Sequence, residues 1–129
     1  MSKENVHIVR EHIEAFISDA PSALAFLDHN VVLDRTRDDL IASETACGHE
    51  AVAQAVGRYT GAFDDYAYEV KRISDLGPGA VLVLGFETGL GRSSGVPVRR
   101  SFASLYNLID GKITRITFFP DEQAAVGAI

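Results

Sequence analysis

The stretch that decides the fold runs from Val96 to Asp121 and has the sequence VPVRRSFASLYNLIDGKITRITFFPD. It predicts two long strands joined by a tight turn at Asp110-Gly111, because glycine supplies the positive φ that a two-residue hairpin turn needs. The turn pins the register of the hairpin, so the side chains that face inward are fixed as a set. We expect the other strands to extend this hairpin and the helices to pack across it.

Length and composition limit the class of protein. The 129 residues predict one domain, spanning 1–129, and a hydrophobic content of 47% is enough to bury a core. The net charge of −6 argues against nucleic acid and anionic membrane as partners, since both bind clustered Lys and Arg. No apolar run approaches the roughly 18 residues of a membrane span. The polar first residues do not resemble a signal peptide, and Cys47 has no second cysteine to pair with, so we expect a cytoplasmic protein.

Three helices are predicted in the first half of the chain. Residues 4–19 carry apolar side chains at spacings of three and four, as an amphipathic helix requires. A second, short helix, SALAFL, is expected directly after Pro21, because proline suits a first helical turn. The third helix opens at Gly48, and its apolar stripe continues to Phe63.

Strands and turns account for most of the remaining sequence. Residues 28–30 predict a turn, residues 31–36 (VVLDRT) predict a short strand, and residues 37–47 have no clean period and predict a loop. Residues 66–76 (YAYEVKRISDL) alternate in character and predict a strand. Residues 80–90 (AVLVLGFETGL) are apolar on both faces and predict a strand inside the sheet.

This order of elements predicts the fold class. A run of helices followed by a run of strands indicates α+β with an antiparallel sheet built from hairpins. Long strands of this kind twist and curl. We therefore expect a cone-shaped, curved antiparallel sheet wrapped over the three helices of the N-terminal half, with an enclosed apolar pocket between them.

Four sequence features together resemble one known family. They are the first helix IVREHIEAFI, the strand VVLDRT after a short helix, the segment GHEAVAQAVGRY after a loop, and the ending DGKITRITFFPDEQAA. In these features the chain resembles the nuclear transport factor 2-like superfamily, and within it the SnoaL-like (polyketide cyclase) and ketosteroid isomerase branch. The resemblance covers nearly the whole chain and implies a small homodimer, formed through the sheet, with a closed apolar pocket.

Asp34 is the first candidate for a catalytic group. The alternation of VVLDRT puts it on one strand face with Val32 and Thr36. It matches the acid that resembles the general base of the ketosteroid isomerases. Partial burial in an apolar cone would raise its pKa above about 3.9 and improve it as a base for abstracting a proton next to a carbonyl. The alternative is a solvated residue at the strand end, or a partner of Arg35 or Arg37.

His12 is the second candidate, since it lies four residues after Ile8 and four before Phe16, on or beside the buried stripe. It falls where the isomerases that the chain resembles place a hydrogen-bonding tyrosine. A histidine there can donate to a developing oxyanion or act as an acid near neutral pH. The alternative is a histidine at the edge of the core, bonded to a neighbour.

Glu87 interrupts an apolar strand, and a carboxylate buried without a partner is costly. It either faces the pocket or pairs with Arg100 or Arg92 across the sheet. Tyr59, Tyr68 and Tyr106 are predicted to supply phenolic donors, or else to pack with a satisfied hydroxyl. The side chains expected to line the pocket are Phe16, Val32, Tyr59, Glu87, Phe102, Tyr106 and Phe119.

The sequence contains only some of the residues that two activities of this family require. The Arg and paired acids of the epoxide hydrolases would fall at Gly85, Glu87 and Thr117, so that triad is incomplete. The second acid of the isomerases would fall near Ser104, which supplies no strong acidic proton.

The resemblance implies an enzyme without a cofactor or metal. We expect a lyase, isomerase or cyclase that acts on a small, largely apolar carbonyl compound, with Asp34 moving the proton and His12 with a tyrosine holding the oxygen. The alternative is a non-catalytic module of the same fold that binds a small molecule or supports a dimer.

Overall fold

A computed structural model of the protein describes residues 2–18, 20–37 and 44–128. The helices are α1 (Ser2–Ser18), a 3₁₀ helix (Ala20–Phe26), α2 (His49–Gly61) and α3 (Glu122–Gly127). The strands are β1 (Leu27–Asp34), β2 (Thr45–Cys47), β3 (Phe63–Asp75), β4 (Ala80–Gly91), β5 (Pro97–Ile109) and β6 (Lys112–Phe119). The predicted α+β class is confirmed: one curved, unclosed sheet carries the helices of the N-terminal half on one face. None of the described helices has the length and apolar character to cross a membrane.

The sheet is built outward from the predicted hairpin. Its strand order is β2-β1-β6-β5-β4-β3, and β5 and β6 join through Asp110 at φ 50° and Gly111 at φ 79°. Positive φ at both positions is the geometry of the two-residue turn whose twist matches that of the strands. All pairings are antiparallel except that of β1 with β6, which is parallel and sets Leu33 beside Ile116.

The sheet buries side chains on both faces. On the concave face, α1 places Val9 and Ile13 over the sheet, where both are almost fully buried. The larger cluster on this face also contains Leu27, Val31, Leu33, Val52, Val81, Val83, Phe102, Tyr106, Leu108, Ile113 and Ile116. On the convex face, α3 covers a smaller cluster with Ala125. Asp121 begins that helix, since its carboxylate accepts a hydrogen bond from the Ala124 amide at 2.8 Å.

Three element boundaries differ from the prediction. The expected turn at residues 28–30 lies inside β1, where an irregular register between Leu27 and Val32 absorbs the turn-forming residues. The third helix ends at Gly61, and Phe63 opens β3 instead of continuing the helix stripe. The predicted loop at residues 37–47 ends in the short strand β2, and its residues 38–43 lie outside the described part of the chain.

Gly85 permits the close approach of two strands over the core. A Cβ at this position would lie 2.3 Å from the Glu69 carbonyl oxygen on β3 and 2.9 Å from the Phe102 ring. Neither neighbour can retreat easily, because one is backbone and the other is a fully buried ring. Gly57 on α2 contrasts with it, since a Cβ there would have nothing within 4 Å.

We predict opposite stability effects for alanine at these two glycines. Gly85→Ala should lower the free energy of unfolding by about 3 kcal/mol, because the new methyl group overpacks the core against backbone. Gly57→Ala should raise it by about 0.5–1 kcal/mol, because alanine restricts the unfolded chain and favours the helix. Urea unfolding measures both, and a Gly85→Ala protein as stable as the wild type would contradict the described packing.

Candidate functional site

A cavity of about 360 Å³ lies between the concave face of the sheet, α1, the 3₁₀ helix and α2. Most of its wall is apolar or aromatic, as the sequence predicted for the interior of the cone. The polar groups that reach it are few and come from distant parts of the chain: His12, Arg35, Tyr59, Thr60, Tyr66, Tyr68, Glu87 and Tyr106. Their arrangement therefore decides what chemistry the cavity can support.

His12 on α1 has a defined tautomer. Its Nδ1 lies 3.0 Å from the Ala23 carbonyl oxygen, and a carbonyl only accepts, so Nδ1 carries the proton. Burial lowers the pKa of His12, and this effect outweighs the opposing one of the hydrogen bond to Ala23. The ring is therefore neutral near pH 7, and Nε2 is left with a lone pair. In this state His12 accepts a proton or a hydrogen bond, whereas the sequence suggested a donor or an acid.

Tyr68 and Tyr106 stand next to His12 on the sheet side of the cavity. The Tyr106 ring meets the His12 ring edge-on, with centroids 6.0 Å apart. A side-chain hydrogen bond joins the two phenols, and each hydroxyl can act in it as donor or acceptor. Burial is the largest effect on both groups and raises both pKa values above 10. Both phenols therefore stay protonated at neutral pH, and the one that accepts the shared hydrogen bond keeps its own proton for a molecule in the cavity.

Glu87 on β4 meets both alternatives left by the sequence, since it lines the cavity and pairs with Arg100. The Arg100 Nε donates to its Oε1 at 2.8 Å, the Tyr59 hydroxyl donates to the same oxygen at 2.5 Å, and the Tyr66 hydroxyl donates to Oε2. Only 6% of Glu87 is exposed. Burial, and then the charge of Glu87, raise the pKa values of both tyrosines, so both phenols stay protonated.

Asp34 lies outside this cavity. Its Oδ2 accepts from the Arg115 guanidinium at 2.6 Å, and its Oδ1 accepts from the Thr36 amide at 2.9 Å and hydroxyl at 2.6 Å. Burial raises the pKa of Asp34, but the bonds from Thr36 and Arg115 together outweigh it and hold the pKa below its usual value. The predicted rise in pKa is therefore wrong, and the carboxylate is paired with an arginine other than the two that the sequence suggested.

The remaining predicted pocket residues divide by strand face. Phe16 lines the cavity from α1. Val32 shares the face of Asp34, and Phe119 lies under α3 on the convex side, because neighbouring residues of a strand alternate. Phe102 faces inward but lies behind the wall, with its ring 4.9 Å from that of Tyr68. The expectation that these three line the cavity is corrected accordingly.

Arg35 and Tyr66 belong to the site but were absent from the predicted set. Arg35 is 5% exposed, and its guanidinium carbon lies 3.9 Å from the centroid of the Tyr59 ring and 4.4 Å from that of Phe118. Its position on the same face as Leu33 was visible in the alternation of the predicted strand 31–36, although β1 itself ends at Asp34. Tyr66 likewise shares the alternating face of Tyr68, which the sequence did single out.

Solved structures resemble the chain over almost its whole length. An NTF2-like protein from Burkholderia thailandensis has 21% identity and a TM-score of 0.82, with 96% of this chain and 95% of that chain covered. A candidate polyketide cyclase from Xanthomonas campestris has 20% identity and a TM-score of 0.74, with 98% and 96% covered. A protein with a ketosteroid isomerase-like fold from Catenulispora acidiphila, in complex with trimethylamine, has 15% identity and a TM-score of 0.74, with 93% and 89% covered.

These likenesses confirm the predicted fold resemblance. The chain has the NTF2-like fold, and its structural neighbours include a candidate polyketide cyclase and a hypothetical protein with a ketosteroid isomerase-like fold. No protein-family model matches the chain, and no curated protein matches it in sequence. At these identities the comparison establishes the fold, and any activity has to be argued from the cavity itself.

The Asp34 ion pair makes a prediction for the pH dependence of stability. A carboxylate whose pKa is lowered by folding stabilises the protein above its unfolded pKa of about 3.9, and this contribution is lost as the pH falls through the folded value. Asp34→Asn should therefore lower the free energy of unfolding by about 1–2 kcal/mol at pH 7. The difference from the wild type should shrink below about pH 4, as measured by urea unfolding at each pH.

The exposed pair of Asp64 with Arg92, at 3.3 Å, supplies the control. Asp64→Asn should change the stability by less than about 0.5 kcal/mol, because exposed ion pairs contribute little. A difference for Asp34→Asn that grows toward low pH would contradict the assigned direction of the pKa shift.

Proposed function

We propose that the protein binds a small, largely apolar ring compound in the cavity. The observation that carries this proposal is the cavity of about 360 Å³, since it lies within the size range of ligand sites and combines an apolar wall with a few convergent polar groups. It holds the liquid volume of roughly a dozen water molecules at about 30 Å³ each, which suits a compound of one or two rings. The trimethylamine complex of a structural neighbour supports small-molecule binding by this fold.

A second function, proton transfer without a cofactor, is favoured by the pairing of His12 with Tyr106. In the proposed reaction, Nε2 of neutral His12 takes a proton from the carbon next to a ligand carbonyl. The electron pair of the broken C–H bond moves to the carbonyl oxygen, and the Tyr106 hydroxyl donates a hydrogen bond to the resulting oxyanion. Return of the proton from His12 to a carbon conjugated with the enolate completes an isomerisation. In an elimination, the enolate electrons form a carbon–carbon double bond, and the group on the next carbon leaves with its bonding pair and takes the proton from His12.

This proposal gives the role of base to His12 instead of Asp34. The Asp34 carboxylate is held by Arg115 and Thr36 outside the cavity, and its lowered pKa weakens it as a base. His12 lines the cavity and is already in its basic form near neutral pH. The homodimer through the sheet and the cytoplasmic location stay predictions beside this proposal.

Binding is tested with naphthalene as the probe, followed by its fluorescence. We expect saturable binding of naphthalene to the wild type and at least about tenfold weaker binding to Val56→Phe. Val56 lines the cavity, and the larger phenylalanine side chain would occupy part of its volume. Val96→Phe, at an exposed position outside the wall, is the matched control and should bind as the wild type does. Absence of saturable binding to the wild type would reject the binding proposal.

Proton transfer is tested with 2-tetralone, an enolisable ring ketone, in D₂O. Nuclear magnetic resonance should show that the wild type speeds deuterium exchange at the carbons next to the carbonyl. His12→Asn, which keeps a donor for Ala23 but lacks the basic nitrogen, should return the rate to that of buffer, whereas Asp34→Asn should retain it. The enzyme-dependent rate should rise with pH to a plateau, with a midpoint below the unperturbed histidine pKa of about 6.5, because burial lowers the pKa of His12.

The two variants separate the two possible bases. Loss of exchange in Asp34→Asn together with full exchange in His12→Asn would overturn the role given to His12. Exchange at the buffer rate in the wild type, with naphthalene still bound, would leave the protein as a binding module and reject the proton transfer.

A further inference from the structure

A second group of polar side chains, which the proton transfer does not use, lies in the cavity wall. We call it the Glu87 cluster, and it consists of Glu87, Tyr59, Tyr66 and Arg100. Glu87, Tyr59 and Tyr66 all reach the cavity. The cluster joins α2, β3, β4 and β5, so its geometry is held by four separate elements.

The directions of the hydrogen bonds decide what this cluster can recognise. A phenol has one proton, and Tyr59 and Tyr66 each donate theirs to a different oxygen of Glu87. Their raised pKa values mean that neither loses this proton at neutral pH. Each phenolic oxygen is then left with lone pairs only. This part of the cavity wall therefore accepts hydrogen bonds from a ligand through its two tyrosines and gives none through them.

The charges around the cluster limit the kind of donor. Arg100 is paired with Glu87, and the guanidinium of Arg35 is stacked on the Tyr59 ring. Both arginines lower the pKa of Tyr59, although burial and Glu87 outweigh them. Two guanidinium groups beside one carboxylate disfavour a ligand cation such as an ammonium group. A neutral hydroxyl group satisfies the lone pairs without adding positive charge.

We propose that the Glu87 cluster binds a neutral hydroxyl group carried by the ligand ring. This hydroxyl group donates a hydrogen bond to the phenolic oxygen of Tyr59 or Tyr66. The ligand class is then a hydroxylated ring compound, and its hydroxyl continues a chain of hydrogen bonds through the phenol to Glu87. Such chains strengthen each bond by polarising the next. This inference rests on the proposed binding function and adds the chemical class of the ligand.

The test compares naphthalene, 2-naphthol and 2-methoxynaphthalene as probes of the wild type. The last two share the ring and the oxygen, but only 2-naphthol has a hydrogen to donate. We expect 2-naphthol to bind at least about tenfold more tightly than 2-methoxynaphthalene, since a hydrogen bond into a charged network is worth a factor of this size. Fluorescence titration or calorimetry gives the ratio without any change to the protein.

Variants then locate the hydroxyl group. The affinity ratio of 2-naphthol to 2-methoxynaphthalene should fall toward one in the double variant Tyr59→Phe, Tyr66→Phe. If the double variant does not fold, the ratio should fall in part in one of the two single variants. The preference for 2-naphthol should also decrease in Glu87→Gln. The glutamine amide donates a hydrogen bond to one tyrosine, and the proton of that tyrosine is then free to bind the methoxy oxygen. Tyr68→Phe is the matched control, since Tyr68 also lines the cavity but is hydrogen-bonded to Tyr106 and does not belong to the Glu87 cluster. Its preference should match that of the wild type.

The outcomes separate this inference from the binding proposal. If none of the three probes binds, the binding function itself is rejected. If all three bind with equal affinity, binding stands and the hydroxyl subsite is rejected. The subsite is also rejected if the preference survives in the tyrosine variants and disappears in His12→Asn, because the hydroxyl then donates to Nε2 of His12.

Discussion

The alternation of side chains along strands of fixed register is the constraint on which the cavity depends. The turn at Asp110-Gly111 and a one-residue register shift between Asn107 and Leu108 together set β6 against β5. β6 then presents Phe118 to the cavity and Phe119 to α3. β1 pairs with β6 in parallel, so the same register points Leu33 inward and leaves Asp34 outside the cavity. A slip of one residue would exchange the two faces of β6, and Thr117 and Phe119 would replace Ile116 and Phe118 at the cavity wall.

A buried carboxylate in an apolar cavity is unfavourable unless donors surround it. Glu87 meets this requirement with two phenols and the Arg100 guanidinium, and this leaves two tyrosine oxygens as acceptors. Beside His12 the situation differs, because Tyr106 keeps its own proton and the histidine keeps a lone pair. The cavity therefore offers two different polar sites. The phenols of the Glu87 cluster only accept hydrogen bonds, whereas His12 and Tyr106 together provide an acceptor and a donor.

The sequence predicts the fold far better than the site. The hairpin and the first helix carry strong periodic patterns, and both form as predicted. Alternation divides β1 into two faces but does not show which face lies toward the cavity. The resemblance to the isomerases favoured the face of Asp34, whereas in the structure the face of Leu33 lines the cavity. Arg35 was unexpected because its burial depends on rings from α2 and β6, which only the tertiary structure brings together. β2 is too short to show a pattern.

The parallel pairing of β1 with β6 also bears on how the protein comes to fold. Leu33 lies beside Ile116, so one wall of the cavity joins segments from opposite ends of the chain. During synthesis α1 and β1 leave the ribosome long before β6 is made. Until then their apolar faces have no complete sheet to pack against. Contacts of such high sequence separation slow folding, since a long loop must close before they form. Of the six described strands, β6 is made last, and its pairing with β1 completes this wall of the cavity.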